Sequence, residues 1–344
     1  MKKIIIFVLI FTSLLNTASF ADYDIKANEE LINNTSYFLK TSIPSPTVSS
    51  VGGEWLIIGL KSSGIIYEEE YFEIYYQNLC NTLKEKNGIL HNRKYTEYSR
   101  VVIALTLMDK DPSDVCGYNL LMPLADFEKT MVQGINGPIW ALIAFDSGNY
   151  DIPYNPDAKV TATREMYINE ILKRQNEDGG WALIGKSSDA DVTAMTLQAL
   201  SNYRFMPEVE TAIKKALSHL SKAQLENGGF SSQGEENTES AVQVLTALCS
   251  LSVSYEDERF IKNGNTILDF LMNYCVDKYA FKHFKEDNEL NVMATEQCLY
   301  ALSALNNFYK NKPFIYRVKG EKPTVKIYPY KLNSKNLSVY LNNK

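Results

Sequence analysis

Residues 175–200 read QNEDGGWALIGKSSDADVTAMTLQAL. From Ala190 on, nearly every position is apolar or small, which describes a helix with no polar face and therefore one buried all round. The first part closes a different helix, ATREMYINEILKRQ, whose apolar residues recur every three or four positions between charges. That pattern marks a surface helix with one buried stripe. A surface helix, a glycine turn ending in an aromatic, and a wholly buried helix thus follow one another.

The succession repeats along the chain. ALTLM at 104–108, ALIAF at 141–145, VLTAL at 244–248 and ALSAL at 301–305 are copies of TLQAL at 196–200, and IGLKSS at 58–63 is a weaker first copy. Registered on Leu60, Leu105, Leu142, Leu197, Leu245 and Leu302, they predict six buried helices at intervals of about 37 to 57 residues. Amphipathic partners precede them: IKANEELINNTSYFLK, YEEEYFEIYYQNLCNTLKEK, a shorter piece near LMPLADFEKTMV, ATREMYINEILKRQ, EVETAIKKALSHLSKAQ and ERFIKNGNTILDFLMNY. Six buried helices inside six amphipathic ones predict an all-α fold, an α6/α6 toroid, because closing the array into a ring buries both of its ends. The joint Gln175–Trp181 recurs as Gln224–Phe230 and, degenerate, as Lys84–Leu90. Its glycines are expected to form left-handed caps on the outer helices, with the aromatic packed beneath the turn.

The ends bound the compartment. MKKIIIFVLIFTSLLNTASFA has two lysines, an apolar run and small residues at 19 and 21, the pattern of a secretory signal cleaved near Ala21. Its apolar run is too short to span a bilayer, so no transmembrane segment is expected. The division is then signal peptide 1–21, toroid 22–312 and a basic, proline-broken tail 313–344, mobile or forming short strands outside the barrel. A net charge of −6 argues against nucleic acid as a partner. Five scattered cysteines without CxxC spacing read mostly as buried thiols, with one disulfide compatible with export.

Six residues before each registered leucine stand Glu54, Ser99, Asn136, Asp191, Glu239 and Glu296. If the inner helices are parallel, these residues ring one mouth of the barrel. First-turn acids are ordinary, since they oppose the positive end of the helix dipole, and Asp191 or Asn136 can serve as caps. Carboxylates converging on a cavity, however, raise one another's pKa and can hold a cationic ligand. Trp55, Tyr98, Trp140, Trp181 and Phe230 are placed near the ring, and Arg100 is placed to pair with its acids or to grip an anion. The candidate ligand-binding set is Glu54, Trp55, Tyr98, Arg100, Asn136, Trp140, Asp191, Glu239 and Glu296. With three histidines and no paired spacing, no metal site and no cofactor are expected.

The two Gln-x3-Gly-x-aromatic turns resemble the repeat of squalene cyclases and protein prenyltransferases. PTVSSVGGEW, NGILHNRKYTEYSRVVIALTLMDKDP, QGINGPIWALIAFDSGNYDIP and DADVTAMTLQAL resemble a family of exported bacterial proteins carrying that repeat, over roughly residues 25–310. The resemblance implies a toroid related to the α domain of intrinsic factor and transcobalamin, and a corrinoid as a ligand rather than a cofactor. It also implies a second reading, in which DADVTA stands where class II terpene cyclases carry Asp-x-Asp-Asp-Thr-Ala. Asp189, Asp191, Thr193 and Ala194 match that motif, whereas Val192 does not. The leading expectation is an exported, non-enzymatic binding module for a small molecule. The alternatives are a cyclase-like isomerase with Asp191 as general acid and Asp189 as its neighbour, and a cell-surface module with a protein partner.

Overall fold

The computed structural model describes residues 24–317, so the signal-peptide expectation and most of the tail lie outside the described residues. Six inner helices are present where the leucine register places them: α2 (Glu54–Ser62), α4 (Thr96–Leu107), α7 (Asn136–Ser147), α9 (Ala190–Leu200), α11 (Thr238–Ser250) and α13 (Val292–Tyr309). Four outer helices are continuous: α1 (Ile25–Ser42), α3 (Glu69–Glu85), α8 (Arg164–Lys173) and α10 (Pro207–Ala223). The third outer element is two single turns, α5 (Leu121–Leu124) and α6 (Phe127–Thr130), because Asp126 caps a new start by accepting the Lys129 N–H.

The sixth, α12 (Ile267–Met272), is much shorter than ERFIKNGNTILDFLMNY suggests. Asn263 and Gly264 take left-handed backbone between the bridged residues Lys262 and Asn265, and a Thr266–Asp269 capping box then restarts the helix. Local turn chemistry overrides the apolar periodicity there.

Each inner helix packs on the next, and α13 packs on α2, which closes the ring; α1 covers the seam by packing on α13. The inner helices are parallel. At their C-terminal ends Thr106 of α4 meets Ser147 of α7 at 3.1 Å, and Asp146 of α7 accepts from Asn202 and Tyr203 just past α9. At their N-terminal ends Glu54 of α2 faces Arg100 of α4.

The glycine joints differ from expectation in one respect. After α8 and α10 the cap residues Arg174 and Gln224 are not left-handed, and the glycines belong to separate turns beyond the helices, closed by Asn176–Gly180 and Leu225–Gly229 hydrogen bonds. Gln175 Nε2 donates to Gly179 O at 2.8 Å and to Ala212 O at 2.9 Å, and Gln224 Nε2 to Gly228 O and Phe260 O, both at 2.9 Å. One glutamine amide therefore fastens its own turn and the next outer element. Gly179 (φ 91°) and Gly228 (φ 85°) lie against that element so closely that a Cβ would stand 2.7 Å from Lys215 O and 2.2 Å from Thr266 O. Only after α3 is the glycine part of a helix-ending turn, with Gly88 N donating to Leu83 O.

The aromatics pack beneath the turns as expected: Trp181 and Phe230 are fully buried, and the Trp181 indole donates to Ile171 O at 2.8 Å. Thr193 accepts the Trp181 N–H, and Thr295 likewise accepts the Phe281 N–H, both at 2.9 Å. Phe281 is thus a further copy of the joint that its sequence does not display.

Two short hairpins, β1 (Ser231–Ser232) with β2 (Glu235–Glu236) and β3 (Cys275–Val276) with β4 (Ala280–Phe281), precede α11 and α13. Cys80 and Cys116 form a disulfide, while Cys249, Cys275 and Cys298 are free. Residues 313–317, expected to begin a tail outside the barrel, instead turn into it. Ile315 and Tyr316 are buried, the Tyr316 ring lies 6.1 Å from Trp140, and Ser62 Oγ donates to Ile315 O. Among the described residues no helix is long and apolar enough to cross a membrane.

Candidate functional site

The parallel inner helices bring the six registered residues to one face, where they serve three different purposes. Glu54 Oε1 accepts from Ser49 N (2.9 Å) and Tyr75 Oη (3.0 Å), while Oε2 stands 3.6 Å from Arg100 Nε. Glu296 Oε2 accepts from Gly52 N at 2.8 Å. These two acids sew the loop before α2 to the barrel through Glu54 Oε1 and Glu296 Oε2. Burial raises Glu54, with Arg100 opposing. It pushes Glu296 up to about 8 despite the Gly52 N–H, the Glu54 charge adding to the rise.

Ser99 is buried with its hydroxyl directed at Tyr95 O. Asn136 opens α7 without capping it, and its Oδ1 is buried without a partner.

Asp191 and Glu239 are different. Both line an open cleft of about 440 Å³, together with Met195, Asn237, Gln243, His283, Phe284, Met293 and Gln297. Asp191 Oδ1 and Glu239 Oε1 are buried, and among the described residues neither has a hydrogen-bond partner. Such orphaned acceptors are uncommon in folded proteins. Burial, then the charge of Asp189, pushes Asp191 up to about 6, with the Ser240 hydroxyl opposing; burial also raises Glu239, opposed by His283, whose Nδ1 lies 2.5 Å from Glu239 Oε2.

Asp191 is therefore not a cap. Asp189 is, since its Oδ1 accepts the Asp191 and Val192 N–H groups and its Oδ2 accepts from Ser232 at 2.6 Å. Both oxygens of the expected catalytic neighbour are occupied structurally. Thr193 of the same motif is held by Trp181, and Val192 is core.

The aromatic candidates do not surround this cleft. Trp55, Trp140, Tyr300 and Tyr316 form a column filling the barrel, with centroid separations of 5.1 Å (Trp55–Trp140) and 5.4 Å (Trp55–Tyr300). Gln243 links the cleft to that column by donating to Tyr300 Oη at 2.7 Å. Tyr98 accepts the Leu90 N–H and stacks on Tyr95 beside a separate groove. Arg100 stands beside Glu54 and over Trp55, away from the cleft lining.

Register alone missed the rest of the lining. Met195 and Gln243 lie one helical turn beyond Asp191 and Glu239, and Gln297 adjoins Glu296, so an i+4 extension of the register would have found the first two. His283 and Phe284 come from the loop after β4, where no inner-helix pattern reaches. Among the described residues no group of three or more metal-ligating side chains is close enough to hold an ion. Cys116 is held in the disulfide with Cys80.

The fold is an α/α toroid, the fold of two solved structures to which it is similar. The type II terpene cyclase MstE from Scytonema, in its apo form, superposes with a TM-score of 0.54 at 12% identity over 83% of this chain and 98% of its own. Candida albicans protein geranylgeranyltransferase-I, complexed with GGPP, gives 0.53 at 13% identity over 80% of this chain and 92% of its own. At such identities the likeness is one of fold. No family profile and no curated protein sequence matches the chain.

Proposed function

We propose that this chain is an exported toroidal binding module whose Asp191–Glu239 cleft accepts a small ligand bearing a positively charged hydrogen-bond donor. The observation that carries the reading is the pair of buried carboxylate oxygens, Asp191 Oδ1 and Glu239 Oε1, left without partners on one cleft. An ammonium or guanidinium group supplies the donors and offsets the charge that burial makes costly. Met195, Phe284 and Met293 offer apolar wall, and Gln297 offers an orienting amide, the composition of a ligand pocket. The Cys80–Cys116 disulfide supports export, since such bonds persist outside the reducing cytosol. A corrinoid, the ligand suggested by resemblance, would cover this cleft rather than enter it.

Equilibrium dialysis of the full chain against arginine methyl ester, spermidine and cyanocobalamin tests the reading. Saturable cation binding that is weakened in Asp191→Asn and in Glu239→Gln supports it. Absence of saturable binding by either cation would sink it, and binding by the corrinoid alone would transfer the site to that ligand.

A cyclase-like acid is the second reading, favoured by Asp191 standing up to about 6. Against it stand the open cleft, the occupied oxygens of Asp189 and an interior filled by aromatic side chains. Product formation from squalene or geranylgeranyl diphosphate that vanishes in Asp191→Asn would establish it.

A further inference from the structure

The cleft does not stand alone on its face. Six of the eleven large apolar side chains exposed among the described residues are Val51, Ile89, Val132, Leu183, Ile184 and Met293. Each lies in a segment leading into an inner helix or in that helix's first turn, and so belongs to the mouth face. Ile184 is 87% exposed, in the loop between Trp181 and the Asp189 cap. A Cβ on Gly134 would stand 3.9 Å from the Leu183 side chain, so the Val132 turn and the Leu183–Ile184 loop are neighbours. Met293 forms part of the cleft wall itself.

Apolar side chains exposed on the same face as a polar cleft, one of them in its wall, mark an interaction surface rather than scattered exposure. A free amine, buried in the cleft, would leave that rim in water. Glu239 is only 8% exposed, and among the described residues no donor reaches its Oε1, so the polar centre has an acceptor open to a further donor. The described residues also carry 27 Lys and Arg against 39 Asp and Glu, which draws basic partners to this body.

Resting on the proposed cation-binding cleft, we infer that its physiological occupant is a lysine or arginine side chain of a partner polypeptide, whose apolar neighbours lie on the Val132–Leu183–Ile184 rim. The charged group enters between Asp191 and Glu239, and the flanking residues cover the rim, the division of a protein interface into anchor and surround.

The test uses the full chain and two probes, acetyl-Leu-Lys-Leu-amide and acetyl-lysinamide, measured by calorimetry. The tripeptide is expected to bind about tenfold or more tighter than the single residue, because two apolar side chains are added to the same anchor. Glu239→Gln should weaken both probes, whereas Ile184→Ser, a change at an exposed position, should weaken only the tripeptide. Equal affinity of the two probes together with indifference to Ile184→Ser would overturn the inference while leaving the cation cleft standing; failure of both probes to bind would remove the cleft reading itself. Tripeptide binding seen only when Lys319, Lys322, Lys326, Lys331 and Lys335 are all changed to glutamine would make the chain's own basic tail the occupant and overturn an outside partner. A Leu-Gln-Leu control that binds as well as Leu-Lys-Leu would overturn the charged anchor.

Discussion

Replacing Glu296 by glutamine should make the protein more stable at alkaline pH, although the residue it replaces is buried and hydrogen-bonded. Glu296 is 1% exposed, and its carboxyl is pushed from 4.5 to about 8. An acid whose folded pKa is raised favours folding fully below its unfolded pKa, here near 4.5, and loses that contribution as pH climbs toward 8. Each pH unit across that interval corresponds to about 1.4 kcal/mol, which sets a ceiling of about 5 kcal/mol. Relaxation and water entry around an ionised Glu296 reduce this, and about 1–3 kcal/mol is the expected loss in the wild type. Glutamine keeps a carbonyl oxygen for the Gly52 N–H and carries no charge, so Glu296→Gln escapes the loss. Urea unfolding of both proteins at pH 4.5, 6.5 and 8.5 should show near-equal midpoints in acid and a variant ahead by about 1–3 kcal/mol at pH 8.5. A gap independent of pH, or a variant less stable at pH 8.5, would refute the argument that burial keeps this acid neutral.

Cation binding at the cleft should strengthen as pH rises through about 6, where Asp191 ionises, and Asp191→Asn should flatten that rise; calorimetry across pH 5–8 reads it. Tyr316→Ala, which empties the place against Trp140, should cost about 3–5 kcal/mol in thermal or urea unfolding, whereas a tail lying outside the barrel would cost nothing measurable. Cys80→Ser opens a bridge across a sequence separation of 36 and should lower stability by about 3–4 kcal/mol, with the same loss in wild type on reduction.

The barrel was legible because its signal is long and redundant. A helix buried on every side must be apolar on every side, and six such helices in register leave little else to build. The site was legible only in part. Asp191 and Glu239 were found by register, but so were Glu54 and Glu296, and the four look alike in sequence. They part company in space because the loop before α2 supplies N–H donors to Glu54 and Glu296, and no loop reaches Asp191 Oδ1 or Glu239 Oε1. Likewise Asp189 and Asp191 are two positions apart and interchangeable by type, yet one caps α9 and the other faces the cleft.

Periodicity and the repeated joints determined the toroid, the inner and outer roles of its helices and the face on which the polar residues gather, since each of these follows from which side of a local element must avoid water. Only the tertiary structure decided which acids line the cleft, that the barrel is filled by Trp55, Trp140, Tyr300 and Tyr316, and that residues 313–317 close its base. Those outcomes depend on hydrogen-bond donors and ring contacts contributed by residues far away in sequence, as Trp55 and Tyr300 are at 245 positions, and no local pattern carries that information.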